Sequence, residues 1–565
     1  MSTPNGFKLG LAILALLCLT SQMEAKVKLP ALITDGMVLQ REQPLTIWGT
    51  ADSGESVDIR FVASQADKHS ALPSTVKGGK LKATYRVTAD EMGQWSITLP
   101  ALKAGGPYQL QVNDIVLTEL LIGDVWLCSG QSNMELPVRR VTDMFAEEIA
   151  SYENTKIRHF IVPKVFNFQA PQADMPKAEW KALTADHVME FSALAYFFAK
   201  SMYEKSGVPI GLVNASWGGT PVEAWISEEG LKAFPTYIND KRIYEDDAYR
   251  AHIKEVENEN FARWNQSLYR GDAGLHEATP WYAADYDDSQ WQTVDMFTQG
   301  STASAWGTNG LNPIGGSHWL RKEVEVPASW QGKEGIIRLG CIVDADSVYV
   351  NGTFVGTTGY QYPPRIYRIP AGVLKAGTNQ VTVRIISNGG CPHFVREKPY
   401  KIICGTEEVS LEGKWRYHLG APMPAAPAMM FFCYKPVCLY NAMIAPLQNY
   451  TFRGAIWYQG ESNVERRNEY ASLLTTMMAD WRRTLHNLTL PFYIVELADF
   501  LAKDDIGGRQ AWAEMRQEQA KAAQSDDYAT LIRNSDLGEW NDIHPLDKKT
   551  IGNRVAEAAW REMKK

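Results

Sequence analysis

The feature that most constrains the fold of this chain is an alternation of strands and helices that stops and later resumes. A short apolar strand over 122–128 is followed by a helical segment and by a second apolar strand over 208–215. The alternation ends after about Ser227 and starts again at Asn449, where three further apolar strands alternate with helices. Because buried strands alternating with helices are typical of parallel sheets, the two segments predict one doubly wound α/β domain split by an insertion.

The regions outside this alternation consist mainly of short strands. Residues 26–118 contain short runs of β-branched and aromatic residues separated by Gly, Pro and Asp, which predicts an N-terminal β-sandwich. Residues 236–427 begin as a polar helical linker and continue as short strands, so we expect an inserted β-sandwich there. The α/β domain is then divided into a first part, 119–235, and a second part, 428–565.

The first 25 residues have the composition of a targeting segment. Lys8 precedes an apolar run over 9–20, and the segment ends on the small residue Ala25. This pattern predicts a secretory signal peptide cleaved near Ala25, and therefore a periplasmic or secreted protein. The apolar run is shorter than the roughly 20 residues that a membrane span requires, and no later segment is long enough, so we expect no membrane span.

Charge and cysteine content exclude several classes of function. Lys and Arg number 57 against 65 Asp and Glu, giving a net charge of −8 without long runs of like charge, so no nucleic-acid partner is expected. The seven cysteines are too sparse for a disulfide scaffold and contain no CxxC motif, so no metal site is expected. Cys391 and Cys404 are close enough in sequence to pair, and buried free thiols are the alternative.

Four loops follow the carboxyl ends of predicted strands, which is where open parallel sheets bind ligands. They are Gly-Gln-Ser-Asn-Met at 130–134, Asn-Ala-Ser-Trp-Gly-Gly-Thr at 214–220, Gln-Gly-Glu-Ser-Asn at 459–463, and the segment 536–545. Together they supply a serine in a glycine turn, a glycine pair, side-chain amides and a late histidine. These are the groups that acyl transfer requires, and we therefore expect them to form one site.

Each group has a chemical role in this hypothesis. Ser132 is the candidate nucleophile, and His544 is the candidate base because its ordinary pKa lies near working pH. The backbone N–H groups of Ser132 and Gly219, with a side-chain amide of Gln459 or Asn463, are candidate donors for the oxyanion hole.

Other assignments remain open at this point. Ser129 competes with Ser132 for the nucleophile, and Gly218-Gly219 is also consistent with a simple turn. Asp542 is the nearest acid that could orient His544, whereas Glu461 could instead bind a backbone N–H group. Tryptophans flank the loops and would either belong to the core or stack on sugar rings: Trp217, Trp225, Trp457 and Trp540.

The four loops resemble the motifs of the sialate O-acetylesterase family, a branch of the SGNH hydrolases. The resemblance rests on the motifs at 130–134, 215–225, 457–463 and 542–545 and covers nearly the whole chain after the leader. It implies serine esterase chemistry that removes O-acetyl groups from sugars without a metal or organic cofactor. It also implies Ser132 as nucleophile, His544 as base and Gly219 in the oxyanion hole.

Residues 280–420 are similar to the jelly-roll sugar-binding domain of family 2 glycosidases. The expected fold class is therefore an α/β protein with an SGNH-type doubly wound parallel sheet, an N-terminal β-sandwich and an inserted jelly-roll β-sandwich.

The chain departs from the SGNH pattern at two places. The acid usually stands three residues before the histidine, where this chain has Asn541, while Asp542 stands two before it. The orienting group is therefore Asp542, Glu461 or a backbone carbonyl. The third motif likewise leaves the amide donor open between Gln459 and Asn463.

The favoured hypothesis is a secreted esterase that deacetylates carbohydrates through an acetyl-enzyme on Ser132, with an acetylated sugar or glycan as its partner. The resemblance favours O-acetylated sialic acids. The alternatives are an acetyl esterase of plant glycans such as xylan and a non-catalytic glycan-binding protein. A sialic acid carboxylate would be met by an arginine, for which Arg139, Arg466 and Arg467 are candidates because they follow strand-end loops.

Overall fold

The computed structural model describes residues 27–63, 82–297, 314–389 and 392–564. The predicted leader, 1–25, and Cys391 of the predicted disulfide therefore lie outside the described residues. The cysteines within them are buried free thiols: Cys128, Cys341, Cys404, Cys433 and Cys438. For these five the structure shows the free-thiol alternative.

The N-terminal region is built from short strands, as the sequence predicts. Their bounds are β1 (Val38–Gln40), β2 (Leu45–Thr50), β3 (Ser56–Ala63), β4 (Lys82–Thr88), β5 (Gln94–Leu99) and β6 (Gly105–Val112). Strand β3 pairs antiparallel with β4 and β6, and β2 pairs antiparallel with β5. Apolar side chains from both pairings, such as Ile47 and Ile59, share one buried cluster.

The next strand, β7 (Ile115–Gly130), runs for 16 residues through two parts of the molecule. Its first half pairs with β6 and β1, and its second half lies in the centre of the parallel sheet. The boundary predicted between 118 and 119 therefore falls inside one continuous strand. After β7 come β8 (Asn154–Ile161), β9 (Trp180–Leu183) and β10 (Ile210–Ser216).

The described residues of the insertion form twelve strands, which are arranged as antiparallel sheets. They are β11 (Gln292–Asp295), β12 (Gly315–Val326), β13 (Gly335–Leu339), β14 (Ile342–Val343), β15 (Ala345–Val350), β16 (Thr353–Thr358), β17 (Ile366–Ile369), β18 (Gly377–Ser387), β19 (His393–Phe394), β20 (Tyr400–Cys404), β21 (Glu407–Ser410) and β22 (Lys414–Met423). One sheet has the order β11-β22-β12-β18-β15-β16 and another has β17-β13-β20-β21. Leu320 and Val383 of the first sheet pack with Ile337 and Ile402 of the second in one buried cluster, so the insertion is a β-sandwich.

The strands β23 (Gly454–Tyr458), β24 (Phe492–Val495) and β25 (Ala529–Ile532) complete the central sheet. Its order is β25-β24-β23-β7-β10-β8-β9, with β9 antiparallel to β8 and the other neighbours parallel. The sequence predicts about five parallel strands and misses β8. Chain segments from before and after the insertion therefore form one sheet.

Helices cover both faces of this sheet. The α-helices are α1 (Ser132–Glu135), α2 (Thr142–Ala150), α3 (Ala193–Ser206), α4 (Pro235–Ile243), α5 (Asp247–Gly271), α6 (Ala273–His276), α7 (Tyr470–Thr484), α8 (Ile506–Gln524) and α9 (Lys548–Met563). Phe198 of α3 and Val555 of α9 share a cluster on one face. Met477 of α7 and Met515 of α8 lie in the cluster on the other. Within the described residues, no helix has both the length and the apolar character needed to cross a membrane.

Candidate active site

The candidate nucleophile lies in a tight turn at the carboxyl end of β7, immediately after Gly130. Gly130 has φ +137°, and a Cβ there would lie 2.1 Å from the carbonyl oxygen of Tyr458 in the neighbouring strand. Only glycine allows this approach, which positions Ser132 at the start of α1. Ser132 is half-buried, whereas Ser129 is buried and donates its hydroxyl to the carbonyl of Ala215. Of the two candidate serines, only Ser132 is accessible.

The glycine loop after β10 lies directly beside Ser132. A Cβ placed on Gly218 would be 3.4 Å from the Ser132 Cβ, and Gly219 has φ +78° with no room for a side chain against Tyr434. Within the described residues, no acceptor faces the backbone N–H of Ser132 or that of Gly219. Because the first N–H groups of a helix have no partner inside it, Ser132 keeps a free donor at the mouth of the turn.

The side-chain amides of the third motif are directed into the protein. Gln459 is fully buried and donates both amide N–H groups, to the carbonyl of Thr220 at 3.2 Å and to Asn463 Oδ1 at 2.8 Å. Asn463 is also fully buried, and its Nδ2 donates to Glu223 at 2.9 Å. Gln459 therefore has no amide N–H left for an oxyanion. Both residues tie the third motif to the glycine loop.

His544 lies in the loop between β25 and α9 and is 7% exposed. The ring of Tyr362, which belongs to the insertion, packs edge-to-face on the imidazole with centroids 5.1 Å apart. Burial lowers the pKa of His544 to about 3, and the nearby positive charges of Lys548 and Arg140 contribute. The imidazole is therefore neutral at ordinary pH, which is the form that accepts a proton.

Asp542 is close to the imidazole without a hydrogen bond to it. Its Oδ1 lies 3.8 Å from His544 Nδ1 and accepts the backbone N–H of His544 at 2.9 Å. Its Oδ2 lies 3.2 Å from the ammonium of Lys398, another residue of the insertion. His544 Nδ1 has no hydrogen-bond partner among the described residues. Asp542 thus holds the backbone of the histidine loop, and its negative charge is shared with Lys398.

Glu461 belongs to a buried network beneath the nucleophile that the sequence does not reveal. The side chain of Asn133 donates to Glu461 Oε1 at 2.6 Å and to the carbonyl of Ile543 at 2.9 Å. Asn133 Oδ1 accepts from the ammonium of Lys548 at 2.7 Å. Burial raises the pKa of Glu461 and lowers that of Lys548 to about 8. No hydrogen bond joins Glu461 to His544 in the described structure, and Asn133 connects the nucleophile turn to the histidine loop.

The four tryptophans that flank the loops fall into two groups. Trp225 and Trp457 are fully buried and pack against each other, as the core interpretation predicts, whereas Trp217 and Trp540 are half-buried.

Asn541, at the usual position of the acid, donates to the carbonyl of Arg396 at 2.6 Å. In the described parts of the chain, no group of three or more His, Cys, Asp and Glu side chains is placed to hold a metal ion.

Comparison with known proteins relates this geometry to one family. A family model described as "Carbohydrate esterase, sialic acid-specific acetylesterase" matches residues 122–260 and 432–561. The two matched segments contain all four motifs, and the first extends past the predicted boundary at 235 into the helical start of the insertion.

Individual relatives agree with the family model. The sialate O-acetylesterase of Rattus norvegicus is 31% identical over 224 residues, which are 36% of this chain and 38% of that protein. The human sialate O-acetylesterase is 28% identical over 246 residues, 40% of this chain and 44% of that protein. The matched region thus spans less than half the length of these curated relatives.

A crystal structure of a novel carbohydrate acetylesterase from Xanthomonas citri is similar over 94% of this chain and 74% of that chain, with a TM-score of 0.52 and 25% identity. Together these comparisons confirm the predicted resemblance to the sialate O-acetylesterase family and support an esterase enzyme. The SGNH assignment of the sheet and the glycosidase-like character of the insertion stay predictions.

Proposed function

We propose that this protein is a serine esterase that removes O-acetyl groups from carbohydrates, with Ser132 as nucleophile and His544 as general base. The observation that carries the proposal is the accessible serine at the carboxyl edge of the sheet. Beside it lie the backbone N–H groups of Ser132 and Gly219, which have no acceptor among the residues that the structure describes. His544, which is buried and neutral, lies in the histidine loop, and Asn133 of the serine turn donates a hydrogen bond to this loop at the carbonyl of Ile543.

The reaction follows from these groups. His544 accepts the hydroxyl proton while Ser132 Oγ attacks the acetyl carbonyl, and the negative charge that develops on the carbonyl oxygen is stabilised by the free N–H groups. The C–O bond to the sugar then breaks, the sugar hydroxyl leaves with the proton from His544, and an acetyl ester remains on Ser132. Water, deprotonated by His544, attacks this ester, and acetate leaves as the serine regains its proton.

The oxyanion hole and the orienting group are both simpler in this proposal than the sequence suggests. The backbone N–H groups of Ser132 and Gly219 are the donors, since Gln459 uses its amide elsewhere. Asp542 acts on His544 through charge at 3.8 Å and by holding the loop backbone, rather than through a bond to Nδ1. The site is therefore closer to a Ser-His pair with a supporting carboxylate than to a fully bonded triad.

The proposed substrates are O-acetylated sialic acids, because the family model and the curated relatives carry that name. Acetylated plant glycans such as xylan are the second candidate, and the carbohydrate acetylesterase neighbour is consistent with either class. An exported location remains part of the proposal and rests on the composition of residues 1–25.

Replacing the nucleophile tests the mechanism. In Ser132→Ala we expect the hydrolysis of a chromogenic acetate ester to fall by roughly 10³-fold or more, while the thermal unfolding temperature stays near that of the wild type. The matched control is Ser129→Ala, a buried position three residues earlier in strand β7, which should retain activity. Wild-type turnover by Ser132→Ala would show that the serine assignment is wrong, whereas a wild type that hydrolyses no acetate ester would favour the glycan-binding alternative.

A further inference from the structure

Arg140 is a cation beside the histidine loop that no carboxylate neutralises. It ends the short 3₁₀ helix Val138–Arg140 that follows α1. In the described parts of the chain its side chain forms no ion pair within 4.0 Å and one hydrogen bond, from Nη2 to the carbonyl of Tyr362 at 3.3 Å. Its Nε is buried and has no partner. A guanidinium has five N–H donors, so most of this fork is unused.

Arg140 contacts the insertion at the residue that also packs on the candidate base. The residue that accepts its hydrogen bond, Tyr362, is the one whose ring packs on His544. The positive charge of Arg140 is close enough to the imidazole to lower its pKa. Arg140 is half-buried as a residue, whereas Arg139 beside it is exposed.

The arginines that the sequence singles out are not available in the same way. Arg466 is paired with Glu223, and Arg467 is paired with Glu514. Arg139 is exposed, and its backbone carbonyl accepts from Thr142. Arg140 directly follows Arg139 in the chain. Among these four arginines, it combines guanidinium N–H donors that form no ion pair in the described structure with a position beside His544.

We infer that the Arg140 guanidinium binds the carboxylate of an acidic acetylated sugar and so selects O-acetylated sialic acids over neutral glycans. The inference rests on the proposed esterase function and names the substrate that it prefers. A planar fork that meets a carboxylate with two parallel N–H bonds gives both affinity and orientation. Binding here would hold the sugar ring against the insertion while an acetyl group elsewhere on it reaches Ser132.

The test compares two substrates that differ only in this charge: an O-acetylated N-acetylneuraminic acid and the methyl ester of its carboxylate. Acetate release gives kcat/KM for each, and the ratio of free acid to methyl ester is the readout. We expect the wild type to favour the free acid, and Arg140→Gln to lower the ratio about 10- to 100-fold, the range for a lost charged hydrogen bond. Arg140→Lys should give an intermediate ratio, because an ammonium keeps the charge but loses the fork.

Arg139→Gln is the matched control, since it removes the neighbouring, exposed positive charge and should leave the ratio unchanged. A wild type that treats both substrates alike, or prefers acetylated xylan, would overturn the inference. So would an Arg140→Gln variant that loses activity equally on both substrates, because that result indicates support of Tyr362 and His544 only. Failure of the esterase proposal itself is read separately, from Ser132→Ala on the chromogenic acetate ester.

Discussion

Asn133 offers the sharpest test of how the buried network supports the nucleophile turn. Its amide is 2% exposed and bonds to three groups: Glu461 Oε1, the carbonyl of Ile543 and the ammonium of Lys548. Leucine has nearly the same shape, so Asn133→Leu removes these bonds without opening a cavity. All three partners then lose their bond to this side chain while they stay in place.

The structure sets the size of the effect. Each buried polar group left without its partner costs about 1–3 kcal/mol, so three give about 3–9 kcal/mol. The lower half of that range is expected, since Lys548 has a pKa of about 8 and Glu461 a raised pKa, and each can neutralise. A loss of about 3–5 kcal/mol is a large part of the 5–15 kcal/mol that stabilises a typical domain.

The assay is urea unfolding followed by tryptophan fluorescence, together with acetate-ester activity at each urea concentration. Because a chain of several domains unfolds in more than one step, the relevant midpoint is that of the transition in which activity is lost. Asn258→Leu on the exposed face of α5 is the matched control and should change stability by at most about 0.5 kcal/mol.

A double-mutant cycle separates the network from general disruption. Lys548→Met alone leaves Asn133 Oδ1 without this donor, and Asn133→Leu alone leaves the ammonium without this acceptor, but the double variant leaves neither. The double variant should therefore be less destabilised than the sum of the single variants by at least about 1 kcal/mol. An additive cycle, or a loss below about 1 kcal/mol in Asn133→Leu, would refute this account.

Two further predictions concern the base. Burial lowers the pKa of His544 to about 3, so the imidazole stays neutral as the pH falls. The value of kcat/KM for a neutral acetate ester should therefore stay constant from pH 7 to about pH 5 and decline only below that. Half-loss of kcat/KM near pH 6.5, while fluorescence shows a folded protein, would contradict this prediction. Asp542→Asn should reduce kcat by less than about 100-fold, because Asp542 does not bond to His544 Nδ1. The corresponding loss in a bonded triad is roughly 10⁴-fold. A loss near 10⁴-fold in steady-state kinetics would show instead that the carboxylate bonds to the histidine during the reaction.

The elements that the sequence predicts are those whose signal is local. The strand that ends at Gly130, the serine in the following turn and the glycine pair at 218–219 are written in consecutive residues, and the structure brings them together. The sequence does not predict strand β8, because Asn-Thr-Lys-Ile-Arg-His-Phe-Ile is largely polar, although Arg158 and His159 are buried in it. Burial of such side chains depends on neighbours far away in the chain and leaves no local signal.

The donor roles were ambiguous for the same reason. Gln459 and Asn463 are amides in a strand-end loop, and sequence alone cannot distinguish an amide that faces a substrate from one that ties two loops together. Their partners, Thr220 and Glu223, are about 240 residues away in the chain. The sequence analysis singles out Arg139 and not Arg140, and no local pattern separates two adjacent arginines of a short 3₁₀ helix, although they differ in burial.

The insertion holds the histidine loop, whose carboxylate stands two residues before the histidine. Asn541, at the position of the customary acid, bonds to the carbonyl of Arg396, Asp542 shares its charge with Lys398, and His544 packs under Tyr362. Three residues of one short loop are thus held by the inserted sandwich, so the place of the base depends on packing between two domains. An acid at position 541 would face the backbone carbonyl of Arg396, which cannot donate to it. The carboxylate at position 542 instead lies beside Lys398, and the same insertion brings Tyr362 to the imidazole.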